Sequence, residues 1–169
     1  MTISMYQASV PVFVRMLTNL KGVLGKAAEH AQAKKIEESV LLGSRLYPDM
    51  FPLTRQIQIA TDFARGTGAR LAGAEAPSIA DTELTFAELI DRIDRSVAYL
   101  RTLTAAQVDG SEAREISRPI RGVPHTFSGI DYLLLVAMPN FYFHTTTAYA
   151  ILRHSGIEIG KTDFVGRFD

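Results

Sequence analysis

The sequence predicts an all-α fold, an antiparallel four-helix bundle with one small extended or hairpin excursion between its third and fourth helices. Four stretches repeat apolar residues at spacings of three and four, the period of a helix with one buried face. Two of them open on capping boxes, Ser4-Met5-Tyr6-Gln7 and Thr85-Phe86-Ala87-Glu88, whose first and last side chains each satisfy a free backbone N–H. Between Val108 and Phe127 the helical period gives way to alternation and turn residues. Packing four such stripes together buries them all, and 169 residues suffice for one domain of this kind.

The first helix is predicted from about Met5 to Ala31, with Val10, Phe13, Leu17, Leu20, Leu24 and Ala27 on its stripe. Pro11 should kink it or delay its start, because proline has no N–H to donate. His30, near its end, suits the helix dipole and reads as a solvated surface residue. Lys34 to Glu38 form a charged connector, and Ser39 to Leu46 hold a helical turn. In Tyr47-Pro48-Asp49-Met50-Phe51-Pro52, Pro52 fits the first turn of the second helix and Asp49 is placed to cap it. That helix carries Leu53, Ile57, Ala60, Ala64 and Leu71 to near Gly73, with Gln56 at the margin of its apolar face.

The third helix, to about Leu103, presents Phe86, Leu89, Ile90, Ile93, Val97 and Leu100. Asp91, Arg92, Asp94 and Arg95 are expected on its opposite side as solvated ion pairs, each worth little. Ser128 caps the fourth helix, which carries Ile130, Leu133, Leu134, Ala137, Phe141, His144, Ala148, Ile151 and Leu152 on one broad side. Pro139 kinks it and Gly156 ends it. The tail from Ile157 to Gly166 is predicted to be extended and docked on the helices.

Lys+Arg and Asp+Glu number 18 each, so the formal net charge is zero and gives no general attraction to nucleic acid or an anionic membrane. There is no cysteine, which removes disulfides, thiolate nucleophiles and thiolate-held metal together. No signal peptide is visible, and the apolar run from Tyr132 to Met138 is far short of the roughly 20 residues of a membrane span. The expectation is a soluble cytoplasmic protein with no nucleic-acid and no membrane partner. Gly160-Lys161-Thr162 ends like a phosphate loop, but position 155 is Ser where that loop needs glycine, and no strand and helix flank it. A nucleophile elbow, a His-Glu-x-x-His pair and a dinucleotide fingerprint are all missing. Arg114, Arg118, Arg121 and His125 offer an anion pocket; a solvated loop face is the plainer reading.

The chemistry concentrates in Pro139 to Gly156, an aromatic, core-like helix into which polar residues are set. Asn140, His144 and Ala148 fall on one line, because residues four apart stack on a helix. His144 has two readings. One is a neutral imidazole satisfied by a tyrosine, carboxylate or carbonyl; the other is a ligand or proton carrier in the interior, where helical bundles build their sites. His154 lies ten residues on, ~80° round the helix, too far round to share a metal with it.

Several stretches carry a resemblance: Met5-Tyr6-Gln7-Ala8-Ser9-Val10-Pro11, Leu46-Tyr47-Pro48-Asp49-Met50-Phe51-Pro52-Leu53, Arg70-Leu71-Ala72-Gly73, Pro139 to Gly156, and Gly160-Lys161-Thr162-Asp163-Phe164. The chain resembles the DinB/YfiT-like superfamily of four-helix bundles and, more closely, an uncharacterised bacterial family within it, a domain of unknown function. For the superfamily the resemblance implies a divalent metal on three histidines, one from the second helix and two, four residues apart, from the fourth. Matching the closing Leu152-Arg153 and Gly156 puts His144 at the last ligand position and Asn140 at the one before it. The second helix has no histidine, and Asp49 and Gln56 are the polar candidates there. Neutral amides are poor ligands for zinc or nickel.

The resemblance therefore implies a DinB-like bundle with a degenerate metal site, no metal and no cofactor. His144, Asn140, Asp49, Tyr6 and Gln56 are its candidate pocket, and a small molecule or protein partner its ligand. A homodimer is expected from the superfamily. The alternative is an enzyme, a zinc- or nickel-dependent hydrolase or transferase, with His144 as ligand or general base.

Overall fold

Both predicted capping boxes form. In the computed structural model, which describes residues 3–120 and 122–167, Ser4 opens α1 (Met5–Lys34) by accepting from the Gln7 N–H while Gln7 accepts from Ser4. Thr85 and Glu88 do the same for α4 (Phe86–Thr102). The chain is mostly helical. Between these two helices lie α2 (Glu38–Leu42) and α3 (Leu53–Ala72); beyond α4 come the short α5 (Ala105–Val108) and a two-stranded antiparallel hairpin.

The hairpin falls where alternation predicted it, β1 (Ile116–Ile120) against β2 (Val123–Phe127), in register from Ile116 opposite Phe127 to Ile120 opposite Val123. Ser128 then accepts from the Asp131 N–H and starts α6 (Gly129–Asp131). A π-helical stretch, Tyr132–Ala137, leads into α7 (Met138–His154). Gly156, at φ +87°, turns the chain out, because that left-handed conformation is one a residue with Cβ adopts only under strain.

The long helices α1, α3, α4 and α7 build the core. The main pairings are α3 with α7, α1 with α4, and α3 with α4. Phe13 of α1 meets Phe141 of α7 edge-to-face at 4.9 Å, a geometry that adds about 1 kcal/mol to the area both rings bury. No helix among the described residues is long and apolar enough to cross a membrane.

Five local expectations need correction. The first helix runs on to Lys34, where Lys35 takes the left-handed conformation that closes it. Pro52 is the N-cap of α3 and not in its first turn, and Asp49 is exposed and makes no capping bond. Leu134 is 53 % exposed, so the broad apolar side of the fourth helix does not pass through it. Pro139 stands in the first turn of α7, directly after the π-helical stretch, and the Asn140 amide donates to the Val136 carbonyl at 2.7 Å.

The tail is the fifth. It is not wholly extended but forms α8 (Lys161–Val165) on α1. Asp163 accepts from the Gly160 N–H, Lys26 pairs with Asp163 at 2.7 Å, and Arg15 and Asn19 donate to the carbonyls of Val165 and Phe164. Side chains of α1 thus supply both ends of a helix too short to hold itself.

Candidate functional site

Helix α3 is the organising element, and it is buried on almost every side from Gln56 to Leu71. An apolar stripe alone would not do this. The loop between α3 and α4 covers the face that the sequence leaves polar, so polar side chains of α3 are enclosed and must find partners.

On the α7 side, His144 and Gln56 find each other. Both are buried, at 8 % and 1 % exposure, and His144 Nδ1 lies 2.7 Å from Gln56 Oε1. The Gln56 amide nitrogen donates to the Phe51 carbonyl at 3.0 Å, which fixes Oε1 as an acceptor. His144 therefore carries its proton on Nδ1, and Nε2 keeps its lone pair. Burial, joined by the charge of Arg55, pushes the imidazole down from the ordinary 6.5 to about 4. It is neutral at physiological pH. Nε2 has no hydrogen-bond partner among the described residues, and it is not one of their fully enclosed unpaired atoms. Phe63, stacked at 6.3 Å, and Phe143, edge-on at 5.2 Å, flank the ring.

The other expected members of the pocket do not join this pair. Asn140 spends its amide on the Val136 carbonyl of its own helix. Asp49 is exposed on the connector. Tyr6 is half-buried, and its backbone N–H donates to Asp109 at 2.8 Å. Among the described residues, no three His, Asp or Glu side chains gather as a group able to hold a metal ion. The Nδ1 hydrogen bond leaves Nε2 as the one ring nitrogen of His144 able to meet a ligand, and the charge that acts on the ring is the Arg55 guanidinium.

On the α4 side of α3 lies a charged cluster that sequence reasoning missed. Arg92 was expected in solvent; it is 1 % exposed. Its Nε donates to Thr61 at 2.8 Å, Nη1 to the Ala80 carbonyl and Glu83, and Nη2 to Asp62 at 2.7 Å and Asp81 at 2.9 Å. All its donors are used. Burial opposes its charge, but the Glu83 hydrogen bond and the carboxylates of Asp62, Glu83 and Asp81 outweigh that and raise its pKa. Glu83 is held below the usual carboxylate range: burial works against its charge, and hydrogen bonds from Arg92 and Gln58 more than offset it.

Arg65, 3 % exposed, shares Asp62 and donates to the Pro77 carbonyl, yet its Nε is enclosed and unpartnered. Its pKa is lowered, by burial above all and by the Arg92 charge, against the pull of Asp62. The signal for Arg92 was present in the sequence. It stands three residues after Leu89 and four before Ser96, both buried, so the helical period places it on the inward stripe.

Beside these two sites opens a cleft of about 450 Å³ between α3, the 76–79 loop and the hairpin. Arg55, Arg65, Arg70 and Arg118 line it together with Phe63. The Arg118 guanidinium lies 4.1 Å from the centre of the Phe63 ring, the same ring that stacks on His144. Of the expected arginine–histidine group on the hairpin, Arg118 thus reaches the cleft; Arg121 lies outside the described residues. His125 pairs with Phe127 on the second strand.

The mostly helical fold that holds this histidine and the basic cleft beside it is DinB-like. A crystal structure described as a DinB family member protein from Shewanella denitrificans is 42 % identical, with a TM-score of 0.91 over 96 % of this chain and 92 % of that one. The chain belongs to the family defined as a domain of unknown function, DUF1993, whose pattern matches residues 5–165. No curated protein matches it.

Proposed function

We propose that the protein is a cytoplasmic small-molecule binding module, built on an antiparallel DinB-like four-helix bundle whose metal site has degenerated. The observation that carries this reading is the His144–Gln56 pair, a neutral imidazole locked in one tautomer with an unused lone pair on Nε2. Such a group accepts a hydrogen bond from a ligand O–H or N–H. A conjugate-acid pKa of about 4 makes it a weak general base at neutral pH, which favours recognition over proton transfer. The aromatic flanks Phe63 and Phe143 supply the apolar contact that binding of a small organic molecule needs. Exposed Leu135 and Phe143 leave an apolar surface on α7 and the stretch before it, in keeping with a homodimer.

The test is a ligand-observed NMR screen of a fragment library against the wild type and His144→Ala, with folding of both checked by circular dichroism. Binders lost in a folded His144→Ala protein are the expected outcome. Elemental analysis of untagged protein runs in parallel. Stoichiometric zinc or nickel that disappears in His144→Ala would replace this reading with the metal-dependent hydrolase or transferase.

A further inference from the structure

The arginine cleft is not charge-balanced. Arg55 is paired with Asp81, and Arg65 with Asp62, the one carboxylate among the described residues that lines the cleft. Arg70 and Arg118 meet no carboxylate within salt-bridge distance among the described residues. Arg70 meets Tyr132, donating to its hydroxyl at 3.4 Å and lying over its ring at 5.8 Å, and Arg118 rests on the Phe63 ring. Gathering guanidiniums round one cavity concentrates positive potential, and the low-dielectric walls strengthen it. Arg65 already registers the strain, with an enclosed donor left unmatched and its charged form disfavoured by burial and by Arg92.

The Arg70 guanidinium lies against the open face of Gly66: a Cβ there would stand 2.5 Å from Arg70 Nη1 and push that flexible end aside. The volume of about 450 Å³ falls within the range of small-molecule sites. Guanidinium forks match carboxylate and phosphate oxygens, and half-buried Ile59 lines the same cleft beside the buried Phe63 ring that Arg118 covers.

We propose that this cleft binds a small organic anion, its carboxylate or phosphate met by Arg70 and Arg118 and its apolar part resting against Ile59 and Ile79. The proposal rests on the reading of this region as a small-molecule site and adds the ligand's charge. The ligand is then an aromatic or aliphatic acid or a phosphoester, and neutral analogues of the same shape are rejected because they leave the guanidiniums unpaired.

Phenyl phosphate, benzoate and benzyl alcohol are titrated separately into the full-length protein by isothermal calorimetry, near neutral pH and at fixed ionic strength. Saturable binding of one or both anions and none of the alcohol is expected; the tighter anion identifies the headgroup. Arg70→Gln and Arg118→Gln should each lose about tenfold in affinity. Gly66→Ala should lose severalfold with its charge intact, and Arg45→Gln, outside the cleft, should lose nothing. Benzyl alcohol binding as tightly as benzoate, or unchanged affinity in a folded Arg70→Gln/Arg118→Gln double variant, overturns the anion site. Binders from the neutral part of the fragment library that depend on His144, with no anion bound, leave the small-molecule reading standing and remove this one.

Discussion

Helix α3 serves two polar sites of opposite character. Toward α7 it gives Gln56 to a neutral pair in which one donor meets one acceptor. Toward α4 it gives Thr61, Asp62 and Arg65 to a cluster of full charges around Arg92. Charge enters the interior on the second side because carboxylates from the 74–85 loop, Asp81 and Glu83, arrive to meet it. On the first side no carboxylate of the described residues arrives, and the histidine stays neutral. A buried ionisable group keeps its charge only where partners replace its water, and otherwise gives the charge up.

The difference should be largest when a partner is removed. Arg92→Ala leaves Asp62, Asp81 and Glu83 facing one another without their common cation, and the expected loss is about 3–5 kcal/mol in urea unfolding. A loss below about 1 kcal/mol would mean that the cluster is held by the loop backbone and not by charge.

Acid separates the two sites next. The unfolded chain takes up a proton at its histidine near 6.5, whereas folded His144 resists until about 4. Stability attributable to this residue is therefore complete above the unfolded value and declines as pH falls through that window, by about 3 kcal/mol at full extent. Unfolding curves at a series of pH values should show the decline in the wild type and a flatter profile in His144→Asn. Parallel profiles would show that His144 is charged or solvated in the native state.

The smallest effect belongs to Gln56→Leu. It keeps the packing but leaves Nδ1–H of His144 without its acceptor, at an expected cost of about 1–3 kcal/mol. Thermal unfolding reads that cost. The His144 ring resonances, followed by NMR, should lose the single-tautomer signature, and retention of that signature would place the ring's restraint elsewhere.

Much of the frame was legible because its signals are local. Ser4 and Thr85 act through residues three positions away, the hairpin announces itself by alternation, and Gly156 by its conformational freedom. His144 stood out as a polar residue on an aromatic helix, and Gln56 one helix away was named with it. What failed was non-local or was read by residue type against the period. Arg92 was assigned to solvent because arginine is usually there, although Leu89, Ile93 and Ser96 place its position inward. Asp49 looked like a cap because of its type, but the chain enters α3 through Pro52 with Asp49 turned to water. α8 depends on Arg15, Asn19 and Lys26, more than a hundred residues away, and no window on the sequence contains both partners.

The π-helical stretch before Pro139 constrains how this chain can vary. Each residue of a helix advances its side chains by about 100°, and an i→i+5 turn accommodates one residue more than an α turn in the same rise. Removing a single residue between Tyr132 and Ala137 would wind that stretch back to α geometry and leave all that follows in phase. His144 would keep Gln56, and Phe141 would keep Phe13; the same deletion at the start of α7, where no turn holds a spare residue, would part both pairs. Leu134 and Leu135 are exposed on the stretch that absorbs the change. The protein tolerates the loss of one residue here and forbids it one turn later.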